Sequence, residues 1–541
     1  MASAKSTRMN AFIVTLCLSV IVAGSAWSQE DLRQRFGLTP LPPIPYPVDN
    51  QYNPDRIELG RLLFFDPILG GEMDTGCGTC HLPSFGMADG RQLGAGTGSK
   101  GLGPDRVLGA SSVTGDTIIA EPRNTMTIFN TAYNKDESNL PSTKGFMLWD
   151  GKDRGLEAQA LRAIIVRVEL RGDSYPREMA VDSVLTRLRN VPDYVELFNR
   201  AFPAEADSVA RQIPRLACSW DTAPLESVIT RSTLGRAIAA FERELVTDDT
   251  PYDRYVAGDD DALTASQKRG LVLFFEKARC ANCHNGPEFS EGRFRVQGVE
   301  QIGPGQPLAS TQTGTPRPSG KDRGRFVTSG NTNELFAFRT VSLRQVTETA
   351  PYMHDGAIAT LEEVIEFYDR GAGDEETISA ERVDAELVPL GLTAGEKADL
   401  LAFLHALTDE TIRVPIPPRV PSGLAPAGIE LVQSDDELAE DYGALLAPRV
   451  SKPAMSSYPN PFNAETIVQF ELPRSGQVEL SVYNVLGQRI RRLVGDDLPA
   501  GLHRVRWDGR DADGRNAASG VYLIAAHMAG WRSAQQVLLL R

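Results

Sequence analysis

Two pentapeptides constrain this chain more than anything else in it: Cys77-Gly-Thr-Cys-His81 and Cys280-Ala-Asn-Cys-His284. Two thiols separated by two residues, with a histidine directly after, form the attachment signature of c-type haem. Each thiol can bond a porphyrin vinyl group, and the histidine is then held under the iron as its proximal ligand. The alternatives are two redox CxxC sites or a split four-thiol zinc site. Both pairs carry the adjacent histidine, they lie far apart, and the chain has only six Cys and six His. Two haems therefore account for the pattern best.

Export fits that chemistry, because haem is attached to such motifs outside the cytoplasm. The first 28 residues read as a secretory signal. Lys5 and Arg8 charge its start, Ala11 to Gly24 is its apolar core, and Ala26-Trp27-Ser28 before Gln29 is a cleavage site. No other run reaches membrane-spanning length. Cys17 falls inside the signal, and Cys218 is left as a packed or free thiol. A length of 541 residues predicts three or four domains, and 41% apolar content is that of a folded soluble protein. A net charge of −15 argues against nucleic-acid binding and favours a basic partner.

Ile57 to Phe65 suits a short helix that Asp66-Pro67 stops. Leu156 to Leu170 reads as helical with a break, and Thr233 to Leu245 as a further helix. Capping boxes open helices at Thr264–Gln267, Thr360–Glu363 and Thr393–Glu396. Gly60-Arg-Leu-Leu-Phe-Phe and Gly270-Leu-Val-Leu-Phe-Phe precede the two motifs, which points to a duplicated haem-binding unit. After Ser456 the apolar period becomes two: Thr466, Val468, Phe470 and Leu472 share a face, and Val478 to Val482 repeats it. The expected organisation is a signal (1–28), an N-terminal haem c domain (29–232), a C-terminal haem c domain (233–412), a linker (413–455) and a small all-β module (456–541). The fold class is mainly α, with two c-type cytochrome haem domains in tandem before an immunoglobulin-like sandwich.

Residues 54–410 resemble the bacterial di-haem cytochrome c peroxidases and their relative MauG. The stretches that carry the resemblance are LGRLLFFDP (59–67), CGTCH, RNTMTIFN (123–130), LWDG (148–151), LVTDDTPYDRYVAGD (245–259), CANCH, FRTVSLR (338–344) and APYMHDGAIATLEEVIEFY (350–368). The resemblance implies two mostly helical haem domains about a pseudo-twofold axis. The first haem would react with peroxide and the second would store and relay electrons. Cys77, Cys80, Cys280 and Cys283 would attach the haems, and His81 and His284 would be proximal ligands. Trp149 would relay electrons between the haems; its other reading is a core aromatic. Gln159 and Glu169 match the distal glutamine and glutamate, ten and twenty residues after that Trp. A distal carboxylate can take a proton from bound peroxide and return it to the departing oxygen.

Three departures from the family pattern bear on the chemistry. The prolines between the two distal positions are replaced here by Ala163 and Arg167. A straight helix would hold Gln159 and Glu169 about 15 Å apart, so a shared pocket needs the helix to break. No His lies between His81 and His284, so the histidine that caps the first haem of the peroxidases is absent and an open sixth position is expected. Met87, in place of a family aromatic, and Met73 are the alternative ligands. Tyr368 aligns with the methionine that ligates the second peroxidase haem and with the tyrosine of MauG. As an anionic donor it would lower the haem potential; it also follows the core pattern of Leu361, Val364 and Ile365. Met353 and His354 are nearby alternatives, with His354 read as a hydrogen-bonding residue. The resemblance also implies Ca²⁺ held by the side chain of Asn124 and the carbonyls of Thr349 and Pro351, as hard oxygen donors suit that ion.

The tail resembles the FlgD-like or sorting-type β-domains of secreted proteins through YPNPFN (458–463), VYNVLGQ (482–488), LPAGLHRVRWDGRDADGR (498–515), SGVYL (519–523) and VLLLR. That implies secretion or surface attachment. Asp511-Ala-Asp-Gly514 is read as a tight turn rather than a metal site, and His503 and His527 as bystanders. The leading expectation is an exported di-haem peroxidase, periplasmic or at the cell surface, that reduces H₂O₂ with electrons from a small cytochrome c or cupredoxin. A MauG-like oxidase acting on a protein side chain and a non-enzymatic di-haem electron carrier are the alternatives.

Overall fold

A computed structural model of the chain describes residues 31–209, 227–302, 321–373, 378, 382–429 and most of 455–540. The expected signal, Cys17, Cys218 and the acidic half of the expected linker lie outside the described residues. Among the described residues no helix is long and apolar enough to cross a membrane.

The helices that precede the two motifs are built alike. Asn53 caps Pro54–Phe64 by accepting from the Arg56 amide, and Pro54 fills a first-turn position that needs no donor. Thr264 caps Ala265–Phe275 in the expected box with Gln267. Each helix then turns a glycine to a partner helix. Gly60 meets Arg231–Arg243, where a Cβ would stand 2.0 Å from the Ala237 carbonyl oxygen. Gly270 meets Ala394–His405, where a Cβ would stand 2.0 Å from the Asp399 carbonyl oxygen. The phenylalanines that follow repeat the correspondence. Phe64 meets Phe241 edge-on with centroids 5.2 Å apart, and Phe274 meets Phe403 in the same way at 5.2 Å. The repeated Gly-…-Phe-Phe pattern thus encodes one helix crossing, used twice.

Two apolar cores grow from these crossings. The first gathers Leu59, Leu63, Ile164, Val184, Tyr194, Phe198, Ala237 and Ile238. The second gathers Tyr252, Leu271, Phe289, Ile365, Leu400 and Leu404. Fully burying a side chain of this size contributes about 1.5–3 kcal/mol. Helix Arg231–Arg243, which the sequence assigned to the second haem domain, has its apolar face in the first core, because the Gly60 crossing and the Phe64–Phe241 contact hold it there. Residues 413–429, the first part of the expected linker, also lie over the first core. Val414 and Ala427 are buried, Ser422 Oγ donates to Asp66 Oδ1 at 2.7 Å, and the Ala427 amide donates to the Phe65 carbonyl at 2.7 Å.

The tail is a sandwich of two antiparallel sheets. One is ordered Trp531–Leu539, Gly520–Met528, Gly476–Asn484, Arg489–Leu498; the other is Ser456–Tyr458, Thr466–Leu472, Gly501–Trp507. Val468, Phe470, Val478, Leu480 and Val482 point inward as the two-residue period predicts, and Trp507 packs between Phe462 and Tyr522. The Asp511 carboxylate accepts from the Asp513 and Arg515 amides, so it closes a turn.

Gly270→Ala pushes a methyl into backbone. Urea unfolding followed by circular dichroism is expected to show a loss of about 1–3 kcal/mol; unchanged stability would mean that the two helices do not cross this closely.

Candidate active site

Each motif folds as a 3₁₀ turn, Cys77–Thr79 and Cys280–Asn282. The His81 amide donates to the Cys77 carbonyl at 3.0 Å, and the His284 amide to the Cys280 carbonyl at 2.8 Å. Both rings are fixed alike: His81 Nδ1 lies 2.9 Å from the Met87 carbonyl oxygen and His284 Nδ1 2.9 Å from that of Phe289. A donating Nδ1 leaves Nε2 with a free lone pair for a metal. Burial lowers the pKa of both rings, which favours the neutral imidazole that binds iron. Cys77, Cys80 and His81 border one cavity; Cys280, Cys283 and His284 border another, smaller one. Two thiols, one oriented imidazole and a cavity at each motif fit a covalently attached haem.

Gln159 and Glu169 both line the first cavity. The helix that carries Gln159, Leu156–Ile165, stops without a proline. Val166 is extended (φ −92°, ψ 126°), and Arg167–Arg171 forms a single π turn. Contacts from elsewhere in the chain make this break. The Leu170 carbonyl accepts from the Gly71 amide at 2.7 Å and the Glu169 carbonyl from the Thr97 amide at 2.9 Å. Arg167 pairs with Asp173 through two bonds of 2.6 and 2.7 Å. Only glycine fits against the turn. A Cβ on Gly71 would stand 1.8 Å from the Arg171 carbonyl oxygen, and one on Gly96 2.1 Å from that of Val168. Burial raises the Glu169 carboxyl, while Arg162 and Lys152, also on the cavity wall, draw it back down.

Trp149 lines the same cavity, and its Nε1 donates to the Asn124 carbonyl at 3.0 Å. Its neighbour Asp150 pairs at 3.0 Å with Arg123, which also grips Asp322 at 2.7 Å; all three are buried. Met73 is exposed and Met87 lies in the first core, and neither lines the cavity. Met126 and Met147 do line it. His81 touches the Met126 backbone, which puts Met126 on the proximal side, and Met147 Sδ accepts from Asn134 Nδ2 at 3.2 Å. Glu121, Lys152, Arg162, Glu242 and Arg339 complete the charged part of the wall. Burial pushes the Glu242 carboxyl up to about 8. Of these only Arg339 falls in a stretch that carries the resemblance, FRTVSLR; the others carry no motif of their own.

Tyr368 lines the second cavity with His284, while Leu361, Ile365 and Phe367 are the buried residues of its helix. Gln297 Nε2 donates to the Tyr368 oxygen at 2.7 Å, and burial raises the hydroxyl pKa. Met353 and His354 line neither cavity. His354 stacks on Phe338 with centroids 3.7 Å apart, its Nε2 lies 2.9 Å from Gln301 Nε2, and burial lowers its pKa to about 3. The two cavities meet at adjacent residues: Arg339 borders the first and Thr340 the second. The Arg339 amide donates to the Trp149 carbonyl at 2.8 Å.

The Asn124 amide donates to the His354 carbonyl at 2.8 Å, which lays the 349–355 loop beside it. Asn124 Nδ2 donates to the Arg91 carbonyl. Among the described residues no hydrogen bond ends on Asn124 Oδ1 or on the carbonyls of Thr349 and Pro351. These are hard oxygen donors, and no cluster of three or more His, Cys, Asp or Glu suited to a metal occurs among the described residues.

Comparison with known proteins identifies the family. The model of the family described as di-haem cytochrome c peroxidase matches residues 54–261, and that of the FlgD Ig-like domain matches residues 458–530. A cytochrome-c peroxidase, IdrP1 of Pseudomonas sp. (strain SCT), is 36% identical over 388 residues, covering 69% of this chain and 85% of that protein. The chain belongs to the di-haem cytochrome c peroxidase and MauG family. MauG of Methylorubrum extorquens is 31% identical over 410 residues, 75% of this chain and 94% of that protein. A match of that span takes in the middle of the chain and with it the second motif. A solved MauG-like protein associated with microbial copper homeostasis superposes with a TM-score of 0.51 at 29% identity, covering 69% of this chain and 94% of its own. The chain is thus an oxidoreductase of a family that carries two c-type haems.

Gly96→Ala puts a Cβ against the turn that carries Glu169. Peroxide consumption by the haem-loaded variant is expected to fall toward that of a Glu169 variant, with haem content retained. Wild-type consumption would show that Gly96 does not set the position of Glu169.

Proposed function

We propose that this protein is an exported peroxidase that reduces H₂O₂ to water in the cavity bordered by His81, drawing electrons through the site bordered by His284. The observation that carries this reading is the convergence of Gln159 and Glu169 on the first cavity, although half of the helix between them has to be undone to bring it about. Haem attached at Cys77 and Cys80 would supply the iron at which peroxide is split. Glu169 takes the proton of the bound peroxide oxygen and returns it to the departing one. Arg162 and Lys152 favour its ionised form. The Gln159 amide orients the peroxide by hydrogen bonding. Trp149 serves as the electron relay: it lines the first cavity with its ring fixed by Asn124, and its backbone meets Arg339, next to Thr340 of the second.

An external donor, a small cytochrome c or a cupredoxin, refills the pair. A net charge of −15 favours a donor with a basic face. Asn124, Thr349 and Pro351 hold Ca²⁺ between the two haem units. The first 28 residues direct export, and the FlgD Ig-like module engages secretion or surface-attachment machinery. A second reading, peroxide-dependent oxidation of a protein side chain as in MauG, is favoured by one observation: Tyr368 rather than a methionine faces the second cavity with His284.

Glu169→Gln is expected to slow stopped-flow H₂O₂ consumption by about 10²–10⁴-fold at unchanged haem content. Wild-type rates in both Glu169→Gln and Gln159→Ala would remove the basis of the peroxidase reading and leave electron transfer. For the second site, Tyr368→Phe is expected to change the optical and EPR signature of one haem only. Superimposable spectra would exclude Tyr368 as an iron ligand.

A further inference from the structure

Among the carboxyls of the first cavity is one, besides Glu169, that the reaction as described does not use and that is tied to the same backbone as Glu169. Glu121 lines it together with Glu169, and the two are held on either side of one backbone segment, Gly94-Ala-Gly-Thr97. The Glu121 amide donates to the Gly94 carbonyl at 2.8 Å, and the Thr97 amide donates to the Glu169 carbonyl at 2.9 Å. The segment cannot relax away from either residue. A Cβ on Gly94 would lie 3.2 Å from Glu121 Cγ, and one on Gly96 2.9 Å from Glu169 Cα. Arg106 pins it from behind, with Nε to the Ala95 carbonyl at 2.6 Å and Nη2 to the Gly96 carbonyl at 2.8 Å. Cys80 Sγ reaches the Ala95 carbonyl at 3.7 Å, which ties the same segment to the haem-attachment turn.

The charges around the two carboxyls differ. Glu169 faces Arg162, Lys152 and Asp153. Glu121 feels the like charges of Glu169 and Asp89 and, among the described residues, the opposing charge of Lys152. Glu121 Oε1 is shut off from solvent and has no hydrogen-bond partner. Burial and the neighbouring Glu169 hold the Glu121 carboxyl well above the ordinary range. Like charge disfavours ionising both carboxyls together, and the one with fewer cations near it is the one that keeps the proton.

We propose that Glu121 is a proton-holding residue of the peroxide pocket: Glu121 and Glu169, tied to one backbone segment and lining one cavity, keep one proton between them, on Glu121, which leaves Glu169 free to act as the base. The proposal rests on the peroxidase reading of this cavity. Reduction of one H₂O₂ to two waters consumes two electrons, from the external donor, and two protons. Glu121 delivers one of those protons and is recharged from solvent through its other oxygen, since the residue is only half-buried.

The test is infrared difference spectroscopy of the haem-loaded protein titrated upward from neutral pH. Wild type is expected to show a protonated carboxyl band that Glu121→Gln removes and Glu121→Asp retains. In Glu169→Gln the like charge is gone, so the Glu121 band is expected to be lost at a pH lower by about one unit or more. The buried Glu242 gives a separate band, which Glu242→Gln removes. A spectrum unchanged in Glu121→Gln, or a titration unmoved in Glu169→Gln, would overturn the proposal. If the band behaves as expected but the protein leaves H₂O₂ intact, proton sharing stands and the peroxidase reading falls.

Discussion

The site depends on a helix being stopped where its own sequence does not stop it. Ile165 is followed by Val, Arg, Val, Glu and Leu, none of which forbids helix. Ending there leaves carbonyls that must find other donors. The Ala163 carbonyl takes the Val166 amide and the Ile165 carbonyl takes Arg171 Nε, while Gly71 and Thr97 hold the turn that follows by donating to the Leu170 and Glu169 carbonyls, from stretches of chain that can come close because Gly71 and Gly96 carry no side chain. Each such bond contributes only about 0.5–1.5 kcal/mol, but an unpaired buried carbonyl costs more, so the whole arrangement forms together. Its result is that the Glu169 side chain, which a continuous helix would carry two or three turns away, faces the same space as Gln159.

The same economy of glycine shapes the frame. Gly60 and Gly270 let two pairs of helices touch through backbone, and the phenylalanine after each pair of leucine or valine residues locks the crossing. Duplication of this unit places two cysteine-histidine turns in equivalent settings. The copies then diverge where chemistry differs. The first cavity is the larger and is lined with carboxylates and cations; the second is smaller and is lined by a tyrosine as well as its histidine. Trp149, Arg339 and Thr340 join them through one backbone hydrogen bond and one peptide link.

Much of this was legible in the chain. The haem motifs, the capping boxes at Thr264, Thr360 and Thr393, and the period-two strands of the tail depend on local chemistry, and they appear as read. The break at Val166 was not decided by the sequence, because the residues that cause it, Gly71 and Gly96, are distant in the chain and look like ordinary loop glycines. Glu121 was missed for a related reason: a lone Glu in a Thr- and Ser-rich loop gives no sign that it lines the same cavity as Glu169. Helix Arg231–Arg243 went to the wrong unit because an amphipathic stripe does not say which core it faces.

The central claim is that the first cavity holds a haem ready to meet peroxide. Its most direct test is to record optical and EPR spectra of the diferric protein and then add one equivalent of H₂O₂. This account predicts one five-coordinate high-spin haem that reacts at once, beside one low-spin haem. Two low-spin haems that stay silent to peroxide in both the oxidised and the half-reduced protein would contradict it.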